Sequence, residues 1–437
     1  MSKNSQQLVR KVSINDIVTD NYYNYGKAVN TSRAIPSELD GLKPVYRRII
    51  YSLYKMSDNC HKTVAAIGEI LKIHPHGDAS LVQPIAMLCH YGYCFTPSNM
   101  GGLTIYGPTV PAGSPRYTEV KLSNKLRNLI KYAITDVNMV DSDTGYEEPE
   151  AIPLPVPAVL TFDRSSGMGV GVSAVYPTFS MSSMLEALKK DNPSLLKYRG
   201  NVHINYEKSD LKELWETGKG RVTYYPDVYV KGRSVFIECT PGFINFPVNW
   251  SNRSEDGKLF NELKEQGKIY VTDLTDRNNP GLLEIAISKG VKSVDLDWLF
   301  EAVKKQVEDS YVYTITTSTG EFVHQIPLKK WIKTCYDNYC KLTKKGLDRR
   351  VNELEWEKKV YNILPQVGKL LLDEKKYTNE QISKKLKVEL ELVEACLTKT
   401  INLLRKENHD SKIKELDSKI AELKKITPDK LIKENML

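Results

Sequence analysis

Three short segments in the first third of the chain gather side chains that handle anions. The first, RAIPSELDGLKPVYRR at 33–48, sets Arg33, Lys43, Arg47 and Arg48 around an Asp40-Gly41 turn. The second, KIHPHGDAS at 72–80, runs from Lys72 through His74 and His76 into an apolar helical stretch at Leu81, Ile85 and Leu88. Asp78 or Ser80 could cap that helix. Its first turn would then offer unpaired backbone N–H groups and the positive end of the helix dipole, a natural seat for phosphate. The third, SPRYTEVKL at 114–122, places Arg116 directly before Tyr117. Each segment also has an ordinary reading. A Lys/Arg cluster is usually a solvated face, His-Pro-His can be loop chemistry or half of a metal site, and Tyr117 is one of 25 tyrosines. The three gain weight by occurring together.

Charge is distributed to match. Residues 1–131 hold 16 Lys and Arg against 8 Asp and Glu, while the rest of the chain balances at 46 of each, so the net +8 lies in the first third. A concentrated positive field suits a polyanion, because each neutralised phosphate releases counterions; a solubilising surface is the other reading. The 41% hydrophobic and 27% charged residues are ordinary for a globular chain. No stretch approaches the roughly 20 apolar residues of a membrane span, and the N-terminus lacks the apolar core of a secretory signal. Seven cysteines without a C-x-x-C pair fit reduced thiols. Two Cys-His dipeptides, at 60–61 and 89–90, flank His74 and His76, but their spacing matches no zinc finger or ribbon.

The elements that must position these residues divide the 437-residue chain into four parts. Residues 1–30 form an arm, polar and then helical through Ile14, Ile17, Tyr22 and Tyr23. Residues 31–150 mix short helices with loops rich in Gly, Pro and Tyr. In 151–327 strand signals dominate, as in RVTYYPDVYV at 221–230 and SVFIECT at 234–240, with helical stretches near 209–216 and 257–266. Residues 328–437 read as a long helix to about 375, which Pro365 should kink or break. A second helical run follows, with Ile413, Leu416, Ile420 and Leu423 in coiled-coil spacing. An antiparallel hairpin inside one protomer and a dimerisation stalk both satisfy that pattern. There is no internal repeat.

The order RAIP-x-x-x-DGLKPV-x-RR, HPHGD, RYTE-x-x-L resembles the breakage-reunion region of type IIA DNA topoisomerases, the A subunits of gyrase and topoisomerase IV and the phage medium subunit. GYEEPEAIPLPVPAVL at 145–160, SSGMGVGVSA at 165–174 and LKELWETGKGRV at 211–222 extend the likeness over nearly the whole chain. The resemblance implies an α+β protein: a winged-helix DNA-gate domain, a mixed α/β tower domain, and a long C-terminal coiled-coil stalk with a helical dimerisation tip. It implies that Tyr117 attacks the DNA backbone and becomes linked to a 5′ phosphate, with Arg116 stabilising the transition state. It makes Arg33, Lys43, Arg47, Arg48, Lys72, His74 and His76 DNA-contacting, and Met168 the apolar wedge that bends the duplex. The chemistry is coherent. Phosphoryl transfer rests on positioning and charge stabilisation. An ordinary phenol, with a pKa near ~10, needs about 4 kcal/mol to ionise at neutral pH. Arginine stays charged and forks onto phosphate oxygens.

The resemblance also implies what this chain lacks. It has no G-x-x-x-x-G-K-[ST] loop and is expected to lack the acidic cluster of a Toprim domain, so Mg²⁺ and ATP are expected on a separate ATPase/Toprim polypeptide, giving a heterotetramer around a homodimer of this chain on double-stranded DNA. A cytoplasmic, DNA-associated location is expected, with no membrane partner. Without the DNA-wrapping propeller of gyrase A subunits, as in a phage-type medium subunit, relaxation and decatenation are the expected reactions. There are departures. SNMGGLTIYGP at 98–108 replaces the family's DGQGNFGS-like loop, and the run to Tyr117 is about two residues shorter. Tyr46 stands for a histidine, and Ala79 and Gln83 stand where quinolone-contacting residues are common, so weak quinolone sensitivity is expected. A non-catalytic architectural DNA-binding protein is the alternative from another class. A tyrosine recombinase fits less well, because its tyrosine lies near the C-terminus.

Overall fold

The structure, a computed structural model, describes residues 13–97, 113–162, 165–238, 254–274, 282–304, 308–311, 315–316, 322–323, 325–372, 377–398 and 406–436. The 98–108 departure lies outside these residues, as do the first 12 residues of the arm. The chain forms two compact units, residues 1–127 with 137–338 and 436–437, and residues 128–136 with 339–435.

In the first unit, helix α1 (Ile14–Val29) starts at Ser13, whose side chain accepts from the Asn15 N–H. It passes into a π-helical turn, Asn30–Ala34. Helix α2 (Pro44–Lys55) opens on Pro44, whose missing N–H costs nothing at a first turn. Helices α3 (Thr63–Ile70) and α4 (Ala79–His90) follow. A small antiparallel sheet joins β1 (His61–Lys62), β2 (Cys94–Phe95) and β3 (Glu119–Leu122) in the order β1-β3-β2. Ile49, Ile50, Leu53, Ile70, Leu81, Ile85, Val120 and Leu122 are buried within this part. Helix α5 (Asn124–Ile130) comes next, then two hairpins: β4 (Met139–Asp141) with β5 (Glu147–Pro149), and β6 (Ser166–Met168) with β7 (Ser173–Val175).

Farther along, α6 (Met181–Lys190) and α7 (Leu211–Thr217) accompany an antiparallel sheet in the order β11-β12-β10-β9-β13, with β8 also on β9. Its strands are β8 (Val202–Ile204), β9 (Arg221–Lys231), β10 (Ser234–Glu238), β11 (Ile269–Asp273), β12 (Leu282–Ile287) and β13 (Glu308–Tyr311). Strict alternation along β10 and β12 turns Val235, Ile237, Leu283 and Ile285 inward. Helices α8 (Glu255–Glu265) and α9 (Leu296–Lys304) complete this region.

Helix α10 (Leu328–Leu371) runs 44 residues and continues through Pro365, so the expected break does not occur. At its start, the Trp331 indole N–H and the Cys335 thiol both donate to the Glu38 carbonyl, at 3.1 and 3.3 Å. The second unit contains the rest of α10, then α11 (Asn379–Leu386), α12 (Leu390–Leu397), α13 (Lys406–Lys424) and α14 (Pro428–Glu434). Leu416 and Ile420 of α13 share a core with Leu354, Tyr361 and Leu364 of α10. Lys358 pairs with Asp417 at 2.6 Å and Lys424 with Glu355 at 3.0 Å. Numbers rising on one helix meet numbers falling on the other, so the apolar seam closes as an antiparallel pair within the chain. The fold is mixed α+β with antiparallel sheets and a long C-terminal helix.

Candidate active site

Tyr117 closes a turn in which its N–H donates to the Ser114 carbonyl at 3.0 Å, and it immediately precedes Thr118 and strand β3. Its side chain is 65% exposed, and Arg116 is exposed beside it. Thr118, by contrast, is buried and doubly tied to the start of α3. Its hydroxyl meets that of Thr63 at 2.9 Å, and its carbonyl accepts from the Thr63 N–H at 3.0 Å. A rigid anchor therefore sits one residue from a phenol that faces solvent. Sequence reading did not single out Thr118 or Thr63; the alternation Tyr-out, Thr-in at the mouth of a strand was the available signal.

The first basic segment is organised by Asp40, which is fully buried. Its Oδ1 accepts from the Leu42 N–H at 2.8 Å and from Arg47 at 3.2 Å; its Oδ2 accepts from Arg47 Nε at 2.8 Å and from the Ile152 N–H at 3.0 Å. Burial works against the Arg47 charge, but Asp40 more than offsets it and the guanidinium's pKa is raised. Gly41 has φ +64°, and a Cβ there would lie 2.6 Å from Pro157 Cα, so the turn requires glycine.

Arg48 points the other way. It is 4% exposed, and its guanidinium forks onto Glu148 of β5 at 2.5 and 2.8 Å. Arg48, expected among the DNA-contacting residues, has this donor set on an internal carboxylate. Glu148 was hidden in the GYEEPEA run, where a pair of glutamates opposite a basic cluster was the only hint. The same β4–β5 hairpin holds the histidine loop, through a Thr144 hydroxyl donating to the Lys72 carbonyl at 2.6 Å.

His74 is buried, its Nδ1 3.4 Å from an Arg48 nitrogen and its Nε2 3.2 Å from the Ser80 hydroxyl. Burial first, then the charges of Arg48, His76 and Arg33, lower its pKa to about 4. His76 packs edge-on against it, ring centroids 5.0 Å apart, and its pKa is lowered by burial, Arg33 and Arg48. Both rings are thus held as neutral imidazoles near neutral pH. The cap expected on α4 takes another form. Asp78 occupies the N-cap position without a side-chain cap bond, while Ser80 donates to the Gly77 carbonyl at 2.6 Å. Lys72 is exposed and paired with Glu69 at 2.7 Å.

Arg33 lies exposed on the π-helical turn, near enough for its charge to act on both histidines. The Lys43 ammonium donates to the Ser166 carbonyl at 2.5 Å, and burial lowers its pKa. Ser166 starts β6, which ends at Met168, 82% exposed at the hairpin tip. The structure thus brings Arg33, Arg48, His74 and His76 together, and ties Lys43 to the strand of Met168. Tyr117 and Arg116 stand at the opposite end of α3 from the histidine loop. With eight residues, that helix is roughly 12 Å long.

Residues 33–437 match the family of DNA gyrase and topoisomerase IV A subunits. The chain belongs to this family of type IIA topoisomerase A subunits. Among similar proteins, the DNA gyrase A subunit of Thermotoga maritima is 30% identical over 246 residues, covering 50% of this chain and 30% of that protein. The DNA gyrase A subunit of Borreliella burgdorferi is 30% identical, covering 63% and 37%. The DNA topoisomerase 4 A subunit of Staphylococcus aureus is 27% identical, covering 70% and 41%. The alignments span about two-fifths or less of these relatives' own length.

Proposed function

We propose that this chain is the DNA-cleaving and rejoining subunit of an ATP-dependent type IIA topoisomerase, acting as a homodimer in which each Tyr117 cuts one strand. The observation that carries this reading is the exposed phenol of Tyr117 beside Arg116, held one residue from the buried Thr118–Thr63 anchor. A phenol in that position can approach a phosphodiester in line. As the bond from phosphorus to Tyr117 Oη forms, the bond to the 3′ oxygen breaks. The 5′ phosphate is left on the tyrosine, the phenol's proton passes to solvent, and the 3′ oxygen takes one up to leave as a hydroxyl that can reverse the step. Because the ester conserves the bond, resealing needs no separate energy source. Arg116 would stabilise the added negative charge.

On the same reading, the α2–α4 region with its small sheet serves as the winged-helix DNA gate, the β8–β13 sheet as the tower, and the second unit as the dimerisation region. Arg33, Lys72 and His76 meet phosphates, and Met168 inserts at a base step to bend the duplex. Among the described residues no three His, Cys, Asp or Glu side chains converge to hold a metal ion. On the same reading Mg²⁺ and ATP are assigned to a Toprim/ATPase partner in a heterotetramer. Relaxation and decatenation in the cytoplasm follow as the proposed work of the assembly.

The test mixes the chain with such a partner, Mg²⁺ and supercoiled DNA, then adds detergent. Protein-linked 5′ ends are expected, and Tyr117→Phe abolishes them while DNA binding stays within about twofold, since one hydroxyl contributes little to a charge-dominated interface. Links at 3′ ends, or links that persist in Tyr117→Phe, overturn the assignment. Binding without cleavage under any condition favours an architectural role.

A further inference from the structure

The arm and the Met168 hairpin are joined by one buried amide. Asn30, 3% exposed, donates from Nδ2 to the Val170 carbonyl at 2.9 Å, and its Oδ1 accepts from the Val170 N–H at 2.8 Å. A side-chain amide here pairs with a backbone residue as a neighbouring strand would, satisfying both polar groups of Val170 at the tip of the hairpin. The β6–β7 register ends at Met168 opposite Ser173, and beyond it the Gly169 N–H donates to the Val172 carbonyl at 2.9 Å.

Close packing makes the clamp specific. A Cβ on Gly169 would fall 1.9 Å from Asn30 Oδ1, and a Cβ on Gly26 of α1 would fall 3.1 Å from Val170 Cγ1. The π-helical turn explains the placement. Asn30 opens it, with its carbonyl accepting from the Ile35 N–H at 3.0 Å, and the wider turn shifts the residues that follow out of the α-helical register. Asn30 faces the hairpin, while Arg33, three residues on, sits by the histidine pair. From the other side Lys43 holds the Ser166 carbonyl. The hairpin is therefore gripped at its tip by Asn30 and at its base by Lys43.

We infer that Asn30 is a positioning residue for DNA bending: by clamping Val170 it fixes the hairpin from which Met168 projects, and it couples the arm helix α1 to that wedge. The inference rests on the reading of Met168 as the wedge.

The experiment uses the full chain and a short duplex carrying a donor and an acceptor dye at its ends, so that bending raises energy transfer. DNA binding is measured separately by anisotropy. Asn30→Ala is expected to lower the bending equilibrium constant about tenfold, as two buried hydrogen bonds are lost, with near-unchanged binding. Met168→Ala is expected to lower the bending equilibrium constant likewise, and the double variant to bend no worse than either single. Gly169→Ala, which drives a methyl into the clamp, is expected to lower bending on its own and to be partly relieved in the Asn30→Ala background. That relief separates a clamp from general loss of structure. If the wild type does not bend DNA, or Met168→Ala bends it normally, the wedge reading falls. If Met168→Ala is defective while Asn30→Ala is normal, or the two effects add, the Asn30 inference alone falls.

Discussion

Replacing Asp40 with asparagine turns one of two buried carboxylate oxygens into an NH₂ group with nothing to accept from it. In the native turn each oxygen receives two donors: Leu42 N–H and one Arg47 nitrogen at Oδ1, Arg47 Nε and the Ile152 N–H at Oδ2. Asparagine can serve one pair only. Whichever way its amide turns, two buried donors face a donor, and the Arg47 guanidinium loses its counter-charge. Each unpaired buried donor costs about 1–3 kcal/mol, which puts Asp40→Asn near 4 kcal/mol, within the range for breaking a buried ion pair from one side. Urea denaturation followed by tryptophan fluorescence should show that loss at an unchanged m-value. Repeating the substitution in an Arg47→Met background removes the guanidinium donors, and the cost should then fall by half or more. A loss below about 1 kcal/mol, or an equal loss in both backgrounds, would refute the idea that Asp40 organises the turn through Arg47.

The exposed and buried arginines should separate cleanly. Arg33→Ala is expected to reduce the slope of log K against log salt for DNA binding by about 0.9 with little change in stability, whereas Arg48→Ala, which strands Glu148, should cost about 3–5 kcal/mol of stability; comparable salt slopes in the two would contradict this division. Acid should weaken the fold through His74, whose folded pKa of about 4 lies below its ordinary value. The fold favours the neutral ring, so its contribution is intact above about pH 6.5 and is lost as pH falls toward 4, at no more than about 1.4 kcal/mol per pH unit and less where water reaches the ring. The slope of urea stability against pH over that window should flatten in His74→Gln, and an unchanged slope argues against it.

The legible parts of the fold are those with strong periodicity. Strands β9 and β10 follow from alternating apolar residues around a turn, and the helices at 211–217 and 255–265 from short amphipathic runs. Helix α10 was legible as a length without glycine, except at Gly346 and Gly368, but not in its passage through Pro365: a proline's local preference cannot be weighed in advance against a core that includes Leu354, Leu364 and Val367. At the site, residue types were readable and directions were not. Arg47 and Arg48 are neighbours in sequence, yet one helical step turns Arg47 onto Asp40, 7 positions away, and Arg48 onto Glu148, 100 positions away. Nothing local distinguishes them, because the partner that decides the direction of Arg48 is supplied by a hairpin far along the chain. Asn30 escaped notice for the same reason, its partner Val170 being 140 residues distant.

These internal partners explain why a basic cluster can be both stable and available. Crowded positive groups repel one another, and here two of the guanidiniums are matched internally, Arg47 by Asp40 and Arg48 by Glu148. The histidines beside them are kept neutral by burial and by the very charges they sit among. What faces outward is a smaller set, chiefly Arg33 and Lys72, resting on an inner layer already balanced. On the proposed reading, a phosphate arriving beside His76 would partly screen the arginine charges that, after burial, disfavour its protonation.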